Sequence, residues 1–164
     1  MSLRVAILTV SDSVASGRRA DRSGAVLTEY CKKQGWEVVW TGVVADDRGA
    51  ITDRLAELCD REVADVVLTT GGTGLGPRDV TPEATRDLGG RPVAGLVEWM
   101  RLQGARQNPR AVLSRAEAVV RGSTLVVNLP GSPRGAVESL ESIAGLLPHA
   151  VEILRGGGHP ETGN

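Results

Sequence analysis

The chain has no phenylalanine, and its aromatic side chains are only Tyr30, Trp36, Trp40 and Trp99. A core made from it must be aliphatic, and a nucleic-acid surface of stacked aromatic platforms is a poor match. An excess of one charge is missing too. Nineteen basic and 20 acidic residues leave a formal net charge of −1, which argues against a general nucleic-acid or membrane-surface binder. Lysine occurs only at Lys32 and Lys33. The resulting arginine bias suits bidentate phosphate recognition, but it accompanies an excess of Ala, Gly and Val, and codon usage in a GC-rich genome explains both.

Cysteine is scarce. Cys31 and Cys59 lie in apolar, helical-looking segments, show no metal-ligand spacing, and do not define a structural pair. Reduced, buried thiols of a cytosolic protein are expected. The opening "MSLRVAILTV" lacks a signal-peptide layout, and no apolar run is long enough to span a bilayer, so the expected location is cytoplasmic. Neither His149 nor His159 belongs to a Ser-His-Asp pattern, and both read as structural or solvated. No repeat or linker is present. A chain of 164 residues is expected to form one domain with a sizeable core, spanning 1–155 with a flexible tail at 156–164.

What is present alternates. Leu3–Val10 reads as a buried strand followed by the long polar loop "SDSVASGRRADRSG". Ser23–Gln34 reads as a helix with Ser23 as N-cap and Gly35 as stop. Trp36–Ala45 reads as a strand, Asp47–Glu62 as an amphipathic helix carrying Ile51, Leu55, Leu58 and Cys59, and Ala64–Thr70 as a third strand. Thr81-Pro82 begins a helix, with Thr81 as cap, and Gly89–Gly90 stops it. A helix over Leu96–Arg106 is interrupted or ended near Gly104. Ala116–Arg121 and Thr124–Leu129 flank Gly122-Ser123, a hairpin signal. Pro133–Arg155 reads as helical, broken or kinked at Pro148.

This order predicts an α/β fold: three layers, α/β/α, with a mainly parallel sheet and an antiparallel strand from the late hairpin. Ligands in such folds bind beyond the carboxyl ends of the strands. Four polar, glycine-bearing segments fall there: "TVSDS", "VVADDRG", "TTGGTGLGPRDV" and "NLPGSP".

The loop Gly71–Val80 is neither a P-loop nor a G-x-G-x-x-G turn, yet its glycines let backbone N–H groups approach phosphate, and Thr69, Thr70 and Thr73 add hydroxyls. Asp79 reads either as a helix-end charge or as a carboxylate holding Mg²⁺ near a triphosphate. Asp46 and Asp47 read either as helix caps or as part of a metal site facing the glycines, since Mg²⁺ is commonly held by one or two carboxylates plus substrate phosphates. Asn128–Pro133 contains Gly131 and the cap pair Ser132-Pro133, a helix N-terminus suited to an anion. Ser114-Arg115 reads as a phosphate clamp or as a solvated arginine.

"TTGGTGLGPRDVTPEAT", followed by "LSR", "NLPGSP" and "LPHAVEIL", resembles the molybdopterin adenylyltransferase family, of the MogA/MoaB type and similar to the gephyrin G domain. The resemblance runs from "ILTVSD" to "EILRG". It implies a three-layer α/β homotrimer in molybdenum cofactor biosynthesis. Such a protein transfers AMP from Mg²⁺-bound ATP to the terminal phosphate of molybdopterin and passes the product to a molybdenum-inserting partner; a non-catalytic molybdopterin carrier is the alternative. The implied catalytic and Mg²⁺-binding residues are Asp46 and Asp79. The implied binding residues are Ser11, Asp12, Thr70, Gly71, Gly72, Thr73, Gly74, Ser114, Arg115, Asn128, Leu129, Pro130, Gly131 and Ser132. The family often has proline before the strand-two aspartate. Ala45 stands there in this chain, so Asp47 competes with Asp46, and the resemblance favours Asp46.

Overall fold

In a computed structural model, which describes residues 2–157, the apolar runs become six strands of one sheet. They are β1 (Arg4–Val10), β2 (Glu37–Val44), β3 (Val66–Thr70), β4 (Arg91–Pro92), β5 (Ala118–Arg121) and β6 (Thr124–Leu129). The helices are α1 (Asp12–Ala15), α2 (Arg22–Lys33), α3 (Arg48–Asp60), α4 (Thr81–Arg86), α5 (Ala94–Ala105), α6 (Pro133–Ile143) and α7 (Leu147–Leu154), with a 3₁₀ turn at Pro109–Leu113. The strand order is β2-β1-β3-β6-β5-β4. β2, β1, β3 and β6 are parallel, while β5 runs antiparallel to both β6 and β4.

The period-2 alternation of strand side chains divides the core in two. Val5, Ile7, Val66, Leu68, Leu125 and Val127 face the layer that holds α2, α5, α6 and α7. Ala6, Leu8, Val67 and Val126 face the other layer, where α3 supplies Ile51, Leu55, Leu58 and Cys59. Both faces are covered, which is why the central strands read as unbroken apolar runs. The core is aliphatic, as the composition requires, and Trp36 is its only heavily buried tryptophan.

Topology then fixes the position of the crevice. From β1 the chain crosses through α2 to β2 on one side, then returns through α3 to β3 on the other side of β1. The loops leaving β1 and β3 diverge toward opposite faces and open a gap above their carboxyl ends.

Several local expectations change. Asp21, not Ser23, caps α2: its side chain accepts from Gly24 N, and a carboxylate one turn earlier satisfies the exposed amide first. Thr81 is not a cap either. It is the first residue of α4, and its hydroxyl donates to the Gly71 carbonyl, while Val80 at the N-cap makes no side-chain bond. The long loop after β1 contains the one-turn helix α1, capped by Ser11. The final helix is two, separated at residues 144–146, with Pro148 in the first turn of α7, where a missing N–H costs nothing. Two short elements, β4 and the 3₁₀ turn, had no sequence signal. His149 is exposed and lies 3.9 Å from Glu152. Most of the expected tail, including His159, lies outside the described residues.

Candidate active site

A crevice of about 470 Å³ opens above the ends of β1, β2, β3 and β6. Its floor is made where β3 ends. Gly71 adopts φ +105°, and a Cβ there would fall on the Val10 carbonyl; Gly72 adopts φ +70°, and a Cβ there would fall on the Thr81 hydroxyl. Only glycine fits either position, because the loop must pass against β1 and α4 at once. The Gly71 N–H donates to the Leu129 carbonyl at 3.1 Å, so that amide is used by the fold. Thr70 likewise donates its hydroxyl to the Pro130 carbonyl at 2.7 Å, joining the ends of β3 and β6.

Two carboxylates line this crevice. Asp46 exchanges paired bonds with Asp12 at the end of β1: Asp12 N donates to Asp46 Oδ2 at 2.9 Å, and Asp46 N donates to Asp12 Oδ1 at 2.9 Å. Asp79 Oδ2 accepts from Gly76 N at 2.8 Å, which closes the glycine loop on itself. Each carboxylate therefore has one oxygen fixed by a backbone amide, while Oδ1 has no hydrogen bond among the described residues. Burial pushes the Asp46 carboxyl above the ordinary carboxylate range; the charges of Asp12 and Asp79 push the same way, against the Asp12 amide and Arg78. Asp47 points elsewhere. It caps α3 by accepting from Ala50 N at 2.7 Å.

Arg78 does not pair with its neighbour Asp79. It reaches back to Asp12 with a bidentate contact (2.6 and 3.1 Å) and donates to the Asp46 carbonyl. That contact straps the glycine loop to the ends of β1 and β2 and holds the Asp12 carboxyl below its usual range.

Of the residues singled out in sequence, Ser11, Asp46, Thr70, Gly71, Gly72, Asp79, Gly131 and Ser132 line the crevice together. Others lie behind it. Asp12 supports Asp46 from the side. Thr73 and Gly74 belong to the loop but do not face the cavity; their carbonyls accept from Arg115 N and Nε. Arg115 also donates to the Asp79 carbonyl and pairs with Glu83, so it fastens the loop rather than presenting a clamp to solvent. Ser114 Oγ accepts from Ala116 N.

Asn128, too, turns away from the cavity. It is fully buried, donating to the hydroxyls of Thr69 and Thr85 (3.0 and 2.9 Å) and accepting from Glu117 N. Leu129 is core, and Pro130 contributes its carbonyl to Thr70. Strand alternation explains the Asn128 result: it falls on the face that meets α4.

Among the residues of the crevice wall that sequence reasoning missed are Arg19, Arg22 and Ser23. They lie in and just after a segment taken for plain loop. The only available signal was its density of charge, with Arg18, Arg19 and Arg22 inside five residues.

The lining of the crevice combines groups that suit an anion with groups that suit a cation. Gly72 and Gly131, whose amides make no hydrogen bond among the described residues, line it beside two half-satisfied carboxylates. Among the described residues no group of three or more His, Cys, Asp or Glu could hold a metal by itself. The pair instead fits Mg²⁺, which keeps waters and takes its other ligands from phosphate.

The family described as "Probable molybdopterin binding domain" matches residues 6–149. The chain belongs to this molybdopterin-binding domain family. It is 34% identical over 157 residues to the molybdopterin adenylyltransferase of Helicobacter pylori strain 26695, covering 94% of this chain and 89% of that protein. It is 38% identical over 154 residues to the Drosophila melanogaster molybdenum cofactor synthesis protein cinnamon, spanning 93% of this chain but only 26% of cinnamon. The crystal structure of the molybdopterin biosynthesis enzyme MoaB of Thermus thermophilus superposes with a TM-score of 0.88 at 50% identity, covering 94% of this chain and 97% of that one. The α/β architecture of this molybdopterin-binding domain is thus that of its relatives. No described helix is long and apolar enough to cross a membrane.

Proposed function

We propose that this chain is a molybdopterin adenylyltransferase of molybdenum cofactor biosynthesis. It transfers AMP from ATP to the terminal phosphate of molybdopterin, giving adenylyl-molybdopterin and pyrophosphate. One observation carries the chemistry: Asp46 and Asp79 line one crevice with the glycine loop, each with one oxygen fixed by an amide and one unengaged. Family membership and the named activity of the H. pylori relative carry the substrate.

In the transfer, a phosphate oxygen of molybdopterin attacks the α-phosphorus of ATP. A new P–O bond forms as the bond to the β-phosphate oxygen breaks, and the electron pair leaves with pyrophosphate. No covalent enzyme intermediate is needed. Asp46 Oδ1 and Asp79 Oδ1 would hold Mg²⁺, which when bound offsets charge on the polyphosphate. The amides of Gly72 and Gly131 hold phosphate oxygens. Arg78, Asp12 and Arg115 act on the loop, not on the ligand, by fixing where Asp46 and Asp79 stand. The reading carries with it a cytoplasmic homotrimer that hands its product to a molybdenum-inserting partner.

The test is pyrophosphate release by purified protein with Mg²⁺, ATP and freshly prepared molybdopterin, with the adenylylated product followed in parallel. Asp79→Asn is expected to lower kcat by about a hundredfold or more while molybdopterin binding is retained. Tight molybdopterin binding by the native protein without turnover would instead establish the carrier reading.

A further inference from the structure

The polar side chains of the crevice can be audited one by one. Thr9 donates to Asp21, Thr70 to the Pro130 carbonyl, Ser132 accepts from Gly135 N, and Ser11 accepts from Val14 N. Besides the hydroxyl hydrogen of Ser132, which only accepts, three donor groups remain. The guanidinium groups of Arg19 and Arg22 and the hydroxyl of Ser23 make no hydrogen bond or ion pair among the described residues, although all three line the cavity. Ser23 is only 8% exposed. Its hydroxyl, like the exposed guanidinium groups of Arg19 and Arg22, borders the cavity and has no protein partner among the described residues.

The backbone that carries two of these donors is held in place. Arg22 and Ser23 open α2, a helix of 12 residues. Asp21 at its cap accepts both from Gly24 N (2.9 Å) and from the Thr9 hydroxyl (2.8 Å). The first turn of α2 is thereby fixed against the end of β1. The crevice has two walls of opposite character: unengaged carboxylate oxygens on Asp46 and Asp79, and unengaged cationic donors on Arg19 and Arg22. A metal-bound polyphosphate suits the first wall. A phosphate monoester, carrying about two negative charges and no metal, suits the second.

We infer that Arg19, Arg22 and Ser23 form a subsite for a phosphate monoester. Under the proposed function, on which this inference rests for its ligand, the monoester is the phosphate of molybdopterin. The arginines offset the repulsion between this anion and the approaching polyphosphate, and they select a phosphorylated acceptor over one lacking phosphate. They bind and orient; Asp46 and Asp79 remain the metal-facing groups.

The test combines equilibrium fluorescence titration of molybdopterin with KM for each substrate, in the native protein, Arg19→Gln, Arg22→Gln, the double variant and Ser23→Ala. Each arginine variant is expected to weaken molybdopterin binding about tenfold, and the double variant about a hundredfold. KM for ATP should stay within about twofold, and Ser23→Ala should weaken molybdopterin binding by less than either arginine variant. Molybdopterin stripped of its phosphate should bind the native protein and the double variant alike. A raised KM for ATP with unchanged molybdopterin affinity overturns the assignment, as does a loss that persists with the dephosphorylated ligand. The titration requires no turnover. A native protein that binds molybdopterin but releases no pyrophosphate refutes adenylyl transfer, while the same titration still decides the subsite.

Discussion

Replacing Asn128 with alanine distinguishes a wall of the ligand site from a support beneath it. Asn128 has no exposed surface, and its amide makes three hydrogen bonds: to the hydroxyls of Thr69 and Thr85, and from Glu117 N. The Thr85 hydroxyl continues to the Thr81 carbonyl, and the Thr81 hydroxyl to the Gly71 carbonyl. This chain ties β6 to α4 and α4 to the glycine loop. Losing three bonds at about 1 kcal/mol each, and leaving the Glu117 amide short of its partner, should cost on the order of 3–4 kcal/mol. For a domain of this size that corresponds to a fall in Tm of about 10 °C. Thermal unfolding by circular dichroism reads the shift, and molybdopterin titration at 20–25 °C reads the site. A fall in Tm below about 2 °C, together with a tenfold loss of molybdopterin affinity, would show that Asn128 meets the ligand and that the geometric account is wrong.

Four further outcomes follow from the same structure. Asp46 must be ionised to hold a cation, and burial raises its pKa, so kcat/KM should fall on acidification before an ordinary aspartate would protonate. Removing Arg78, which opposes that shift, should move this acid limb to higher pH. In stability the signs differ. The lowered Asp12 contributes stability that is present above its unfolded pKa and lost as pH falls through the folded value. The raised Asp46 contributes stability present at low pH and lost as pH rises through its folded pKa; denaturant titrations of Asp12→Asn and Asp46→Asn across pH 3–7 should separate the two. Gly71→Ala should destabilise by at least about 2–3 kcal/mol, because it combines positive φ with a clash against the Val10 carbonyl; a urea midpoint equal to that of the native protein would contradict the loop geometry. The thiols of Cys31 and Cys59, pushed up to about 12 and about 11 mainly by burial, should resist thiol reagents at pH 8 until the chain is unfolded. Rapid labelling of the folded protein would show that one of them is accessible.

Much of the fold could be read from the residues because local physics and global fold agree along most of the chain. Buried parallel strands need near-continuous runs of Val, Ile, Leu and Thr, and Val66–Thr70 and Thr124–Leu129 come close to that. α3 needs an apolar stripe, and Ile51, Leu55 and Leu58 supply it. The chemical character of the β3–α4 loop could be read as well, since glycine at positions 71 and 72 together with an aspartate at the loop's end is a local pattern. Its resemblance to known sequences supplied a substrate that no periodicity could.

Tertiary structure alone decided which polar residues face the ligand. Two adjacent aspartates, Asp46 and Asp47, are alike in sequence; Asp47 caps α3, and Asp46 is held by Asp12 at the start of α1. Arg115 and Asn128 looked like site residues, but the first binds the loop's own carbonyls and the second lies on the strand face covered by α4. Arg19, Arg22 and Ser23 looked like loop and helix start, but the crossover from β1 to β2 brings them to the cavity. A sequence records which donors and acceptors exist. Whether a donor meets the protein or its ligand depends on which long-range partner reaches it first, and that is set by the packing of the sheet.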